Sequence, residues 1–173
     1  HSATRARYPN REKADRFGPF LPVSVESVPD LVISSENWQP IGDVANGKSV
    51  ELVVMAHWYQ QYLHIAGFQE AGGAVSVKPY GLLGQMGKPA TFYKGALFHA
   101  ENALEFLDDF DEWYFDRDAQ ILYYKPPANS FIQDLSVGYP VSNGFVLIRG
   151  RSDMPVRNIE FNGIVFQCAN WTF

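Results

Sequence analysis

Glycine and proline recur so often that few stretches of this chain can form a long helix. Eleven prolines and fourteen glycines are spread over 173 residues. Pro19, Pro22 and Pro29 alone bar a long helix or a central strand from residues 1 to 31, because proline removes a backbone donor and locks φ. That segment reads as extended and loop-rich. Its Arg5, Arg7, Arg11, Lys13 and Arg16 are offset in part by Glu12 and Asp15. The residues between the breakers are aromatic and β-branched, with thirteen Phe, nine Tyr and four Trp. That composition favours short strands joined by turns.

Several runs have strand character. Val50 to Trp58 is one, Tyr62 to Phe68 a second, and Ala74 to Pro79 a third with period two. Short connections between them predict an antiparallel meander. Residues 80 to 90, with Gly81, Gly84, Gly87 and Pro89, read as a loop. Glu101 to Leu107 is the best helix candidate, one to two turns with Leu104 and Leu107 on one face. Glu112 to Tyr124 reads as a hairpin, two aromatic strands around a polar turn, ended by Pro126 and Pro127.

The last forty residues have another style. Phe145 to Gly150 is a short apolar run, and Ile159, Phe161, Ile164 and Phe166 alternate with polar residues around Gly163. Two readings fit. Single-glycine bends between short strands are how a parallel solenoid turns its corners. Asn162-Gly163 is equally a strong signal for a type I′ hairpin.

Charge and cysteine content exclude several classes. A net charge of −5 offers no basic surface to track phosphates, so no nucleic-acid partner is expected. No run of about 18 apolar residues suggests a membrane span. The single cysteine, Cys168, excludes an internal disulfide and any multi-cysteine metal site. The acidic group from Asp108 to Asp118 lacks the third ligand and the glycine of a calcium loop. His57 and His64 are seven apart, not at the i, i+4 spacing of a helical zinc pair. Neither a metal nor a cofactor is expected. The chain starts at His1 and stops at Phe173 within an apolar stretch, which reads as a piece of a longer protein.

Candidate ligand-binding residues fall into two groups. His57, Trp58 and Tyr59 end a strand, where a ring can stack on a flat ligand face and a histidine can bond a hydroxyl. Arg5, Arg7, Tyr8 and Asn10 carry polar groups suited to hydroxyls or carboxylates of a ligand. Each also has a plain structural reading: Trp58 as core, Arg7 paired with a carboxylate, and Asn10 as a bend cap. Asn102 reads as a near-terminal cap.

Three stretches together resemble a known family. They are Arg5-Ala6-Arg7-Tyr8-Pro9-Asn10, then Glu101 to Asp108 running into Glu112-Trp113-Tyr114-Phe115-Asp116-Arg117 and Leu122-Tyr123-Tyr124, and finally Pro155 to Gly163. Their order and spacing are similar to right-handed parallel β-helix carbohydrate-active enzymes of bacteria, closest to the α-1,3-galactosidase type and related β-helix glycoside hydrolases. One departure is visible: Phe110-Asp111 stands where the family usually has Pro-Gly.

The resemblance implies a mainly β chain: the start of a right-handed parallel β-helix carrying an inserted small, antiparallel, barrel-like domain. Residues 1–34 and 131–173 would belong to the solenoid and 35–130 to the insertion. It implies a fragment of a secreted or periplasmic glycoside hydrolase whose catalytic carboxylates lie beyond residue 173, leaving this stretch alone inactive. The partners implied are carbohydrate and the remainder of the parent chain, with self-association through an open solenoid end. A non-catalytic carbohydrate-binding or structural module, or a polysaccharide lyase on the same fold, are the alternatives.

Overall fold

The computed structural model describes residues 3–11, 18–26, 30–55, 58–80, 92–140, 142 and 144–166. His57, Cys168 and most of the predicted 80–90 loop lie outside the described residues. Ten strands are present among them: β1 (Thr4–Arg5), β2 (Arg7–Tyr8), β3 (Leu21–Pro22), β4 (Leu31–Ser34), β5 (Glu51–Met55), β6 (Gln60–Ala71), β7 (Ala74–Pro79), β8 (Leu97–Glu101), β9 (Glu112–Asp116) and β10 (Ile121–Lys125). Helix α1 (Ser35–Gly42) follows β4 directly. The chain divides into two compact units, His1–Asn129 and Ser130–Phe173.

In the first unit, the three strands expected after residue 50 form the predicted meander. β5 pairs antiparallel with β6, and β6 with β7. The β6–β7 turn uses Gly72 and Gly73 at φ +60° and +78°. Two successive positive φ angles match the twist of a tight hairpin and favour glycine. The meander sits inside a seven-stranded sheet of order β2-β8-β5-β6-β7-β4, with β3 also on β8. All its pairings are antiparallel.

A three-stranded sheet has the order β1-β9-β10. Here β9 and β10 are the expected aromatic hairpin, and β1 joins β9 in the one parallel pair among the described residues. Residues 1–34 therefore share sheets with residues 35–129, through β1 on β9, β2 and β3 on β8, and β4 on β7.

The protein is mainly β with antiparallel sheets, and the barrel expected for residues 35–130 does not close. Between β3 and β4 there is the single bridge Val25–Val32 and no ladder. Pro22 in β3 has no N–H to donate, which weakens pairing at that seam.

The core follows from alternation. Leu31 and Ile33, Leu52 and Val54, Val75 and Val77, and Phe98 and Ala100 pack together, and Trp38 and Ile41 of α1 join them. Helix α1 was not expected from the sequence. The Ser34 side chain caps it by accepting the N–H of Asn37, and Trp38 and Ile41 at i, i+3 bury one face. Pro40 within it hides the pattern.

The expected helix from Glu101 to Leu107 is corrected. Glu101 ends β8, and only Leu104–Phe106 forms a single 3₁₀ turn. Asn102, at φ +68° and 1% exposed, breaks helical geometry at the start. Its side-chain amide donates to the carbonyl of Ser49 at 2.8 Å, fixing that conformation from outside the segment.

In the second unit, the expected strand at Phe145 to Gly150 is also corrected. Residues 144–166 hold no strand, only the isolated bridge Arg151–Met154. Neither the coil ladder nor the Asn162-Gly163 hairpin forms among them. A strand needs a hydrogen-bonded partner strand, and among the described residues this segment pairs only through that bridge. Gly163 does take φ +70°, a bend that glycine accepts without strain.

Candidate functional site

The most highly charged buried region of the first unit is a row of side chains across the large sheet. Register places Arg7 of β2 opposite Glu101 of β8, Glu101 opposite Glu51 of β5, and Glu51 opposite His64 of β6. Paired positions put their side chains on one face. Two carboxylates facing each other would repel, yet Glu51 is only 1% exposed.

Arg5 resolves that conflict from the other sheet. Its Nη1 donates to Oε2 of Glu51 at 2.7 Å and its Nη2 to Oε1 at 3.0 Å. The same Nη1 reaches Oε2 of Glu101 at 3.4 Å. Arg117, after β9, adds a third donor to Glu51 at 3.2 Å. The Arg5 guanidinium also lies 5.8 Å from the Trp113 ring centroid. Burial alone would lower the Arg5 pKa, but Glu51 and Glu101 outweigh it and raise it.

His99 adds a neutral member. Burial pushes its pKa below the ordinary histidine value, against the bond to Glu101, and Arg7 pushes the same way as burial. Its Nε2 lies 2.7 Å from Oε1 of Glu101, so the neutral ring donates there and, among the described residues, Nδ1 is left as an acceptor without a hydrogen-bond partner. Burial would raise the Glu101 pKa, but His99 and the arginines bring it below the usual carboxylate value.

This arrangement binds sheet to sheet. Glycoside hydrolysis by two carboxylates needs a sugar between them. Here the Arg5 guanidinium fills the space between Glu51 and Glu101, so the pair cannot flank a scissile bond.

The other sequence candidates are spread over the unit. Arg7 donates through Nε to the carbonyl of Pro9 at 3.0 Å and through Nη2 to that of Pro19 at 2.7 Å, and it lies over Phe20. Tyr8 packs against Phe106, with ring centroids 6.0 Å apart. The Asn10 amide donates to Oδ1 of Asp108 at 2.7 Å. Trp58 is 90% exposed, not core, and Tyr59 beside it is 39% exposed.

The acidic group is largely a set of turn contacts. Asp116 accepts the N–H groups of Asp118 and Ala119, and Asp111 accepts the Tyr124 hydroxyl. Glu112 is 3% exposed and accepts the Asp109 N–H at 3.2 Å. Burial first, then the charges of Asp108 and Asp109, push its carboxyl up to about 7, although the Asp109 N–H opposes this. Among the described residues no three His, Cys, Asp or Glu side chains converge as a metal site would require.

Sequence reasoning missed Glu51, Glu101, His99 and Arg117. A signal existed. Glu51 is the lone charge in an otherwise apolar strand, which demands a buried partner. His99 and Glu101 at i, i+2 share a strand face.

Comparison with known proteins gives one likeness of fold. The chain is similar to a solved structure titled "Glycoside hydrolase", with a TM-score of 0.69 and 24% sequence identity. The match covers 98% of this chain and 30% of that one. No protein-family model and no curated protein matches. The chain thus has a glycoside hydrolase-like fold over nearly its whole length and spans under a third of the protein it resembles.

Proposed function

We propose that this chain is part of a longer, secreted or periplasmic bacterial glycoside hydrolase of the parallel β-helix, α-1,3-galactosidase-related type. Residues 1–34 and 131–173 belong to its solenoid in this reading, and residues 35–130 form a β-rich insertion knitted to residues 1–34. The single observation that carries the proposal is the fold likeness to a glycoside hydrolase over 98% of the chain. The three sequence stretches that resemble the β-helix hydrolases support it.

The catalytic acids lie beyond residue 173 in this reading. Its support is that the buried carboxylate pair in the first unit is already occupied by Arg5. Sugar contact falls to Trp58 and Tyr59, whose rings are open to solvent. His57 is the neighbour proposed to bond a hydroxyl. Arg5, Arg7 and Asn10 remain proposed cleft residues, although protein groups take several of their donors.

The test is turnover of α-1,3-linked galactosides by the chain together with the polypeptide that continues it. Release of a reducing sugar without an unsaturated product is expected. A new double bond would replace the reading with a lyase. Glycan binding without turnover would replace it with a binding module.

A further inference from the structure

A groove runs between helix α1 and strand β6, away from the Arg5 network. Trp38 and Phe68 meet there, with ring centroids 5.0 Å apart and planes inclined at 54°. Trp38 is 4% exposed and Phe68 is 52% exposed, so one ring is the floor and the other presents an open face. Gly42 admits the indole: a Cβ at that position would stand 2.5 Å from Trp38 Nε1. Two adjoining cavities, of about 380 and 210 Å³, share Trp38, Gly42 and Phe68.

The rim of the larger cavity is polar. Glu36, Gln39 and Asp43 come from the helix and its C-terminal end, and Glu70 from β6. Among the described residues none of these four side chains has a hydrogen-bond or ion-pair partner. The Ser35 hydroxyl, which also lines the cavity, has none either. Lys48, the lone cation of the two linings, lies in the smaller cavity.

We propose that this groove is a binding site for an uncharged saccharide ring. The inference rests on the glycan-acting reading above. The open Phe68 face covers the C–H face of a pyranose, burying apolar area that is now wet. Carboxylates and an amide around the ring accept and donate hydroxyl hydrogen bonds, and those to ionised acceptors are the stronger kind. The larger volume lies within the range of small-ligand sites, roughly 300–1,000 Å³. Three carboxylates with no cation in that lobe repel a uronate or a sulfated sugar.

The test is an amide-shift NMR titration of the chain with cellotriose, α-1,3-galactobiose and trigalacturonate. At least one neutral probe is expected to shift the amides of Gln39 and Phe68, while trigalacturonate leaves them unmoved. Phe68→Ala is expected to weaken that binding about tenfold, and Phe68→Tyr, which keeps the ring face and controls for folding, to hold it within about twofold. The proposal is overturned if no neutral probe moves these amides, if trigalacturonate binds as tightly, or if Phe68→Ala binds unchanged. Hydrolysis by the longer protein is scored separately. Turnover without groove binding sinks only the groove, and groove binding without turnover sinks only the hydrolase reading.

Discussion

Arg5 and Glu51 form a two-point ion pair, at 2.7 and 3.0 Å, between the small sheet and the large one. Glu51 is 1% exposed, and the fork supplies two of its three arginine donors. Removing one partner of a buried pair typically costs about 3–5 kcal/mol, because the other charge is left uncompensated. Arg5→Ala is expected to destabilise the protein toward the lower end of that range, because Arg117 still reaches Glu51 at 3.2 Å. Arg5→Lys keeps the charge but loses the fork, and falls between the two. In Arg5→Met/Glu51→Gln the Glu51 charge is gone and Glu101 keeps its bond to His99, so the loss shrinks. Urea midpoints of the three variants test this; equal midpoints for Arg5→Ala and wild type would refute the coupling.

Glu112 gives a pH dependence of defined sign. Its carboxyl is raised from 4.5 to about 7 in the folded protein, first by burial and then by Asp108 and Asp109. The folded state therefore holds this proton more tightly than the unfolded chain does. The contribution to stability is complete below the unfolded value of 4.5 and is lost as pH rises through about 7. Glu112→Gln keeps an acceptor for the Asp109 N–H and cannot ionise. It is expected to gain about 1–3 kcal/mol relative to wild type on going from about pH 5 to pH 8. Denaturant curves at the two pH values check it; a constant difference would show that Glu112 titrates normally.

Asn102 combines a positive φ with a buried side-chain bond. It lies at φ +68° and donates to the Ser49 carbonyl at 2.8 Å, while its own N–H reaches the carbonyl of Ala6 at 3.1 Å. Asn102→Ala loses the side-chain bond and places a Cβ residue less tolerant of this conformation there. The expected cost is about 2–4 kcal/mol. Asn102→Gly relieves the backbone and loses only the bond, for about 1–2 kcal/mol. The ordering of thermal midpoints, wild type above Gly above Ala, is the readout.

The strands that could be read in advance are those whose pattern is local. β5, β6, β7 and the β9–β10 hairpin each announce themselves by alternation and turn chemistry within a dozen residues. What was not legible is what depends on partners far along the chain. Glu101 to Leu107 has the composition of a helix, yet Ser49 and Ala6 hold Asn102 in a conformation that no helix allows. Arg5 and Arg7 looked equally suited to a ligand. Only the pairing of β1 with β9 and of β2 with β8 decides that one clamps Glu51 and the other two proline carbonyls. The Trp38–Phe68 groove joins residues thirty apart, and Pro40 obscured the helix that carries half of it.

The apolar alternation near the C-terminal end was legible, but its pairing was not. From Phe145 to Phe166 the large apolar side chains stand 45 to 78% exposed, among them Leu147 at 73% and Val165 at 78%. Phe161 meets Phe166 edge-on at 5.4 Å, and Phe145 lies 6.0 Å from Phe166, so these rings gather without being covered. An uncovered apolar surface of this kind favours association, and unpaired strand-forming segments add backbone donors and acceptors to it. The isolated chain is expected to bind a hydrophobic dye and to show a mass that rises with concentration in sedimentation. Phe161→Glu should lower both, because a charge at the ring cluster must be desolvated to be covered. A monomer across the concentration range, with no dye binding, would show that other residues already cover this surface.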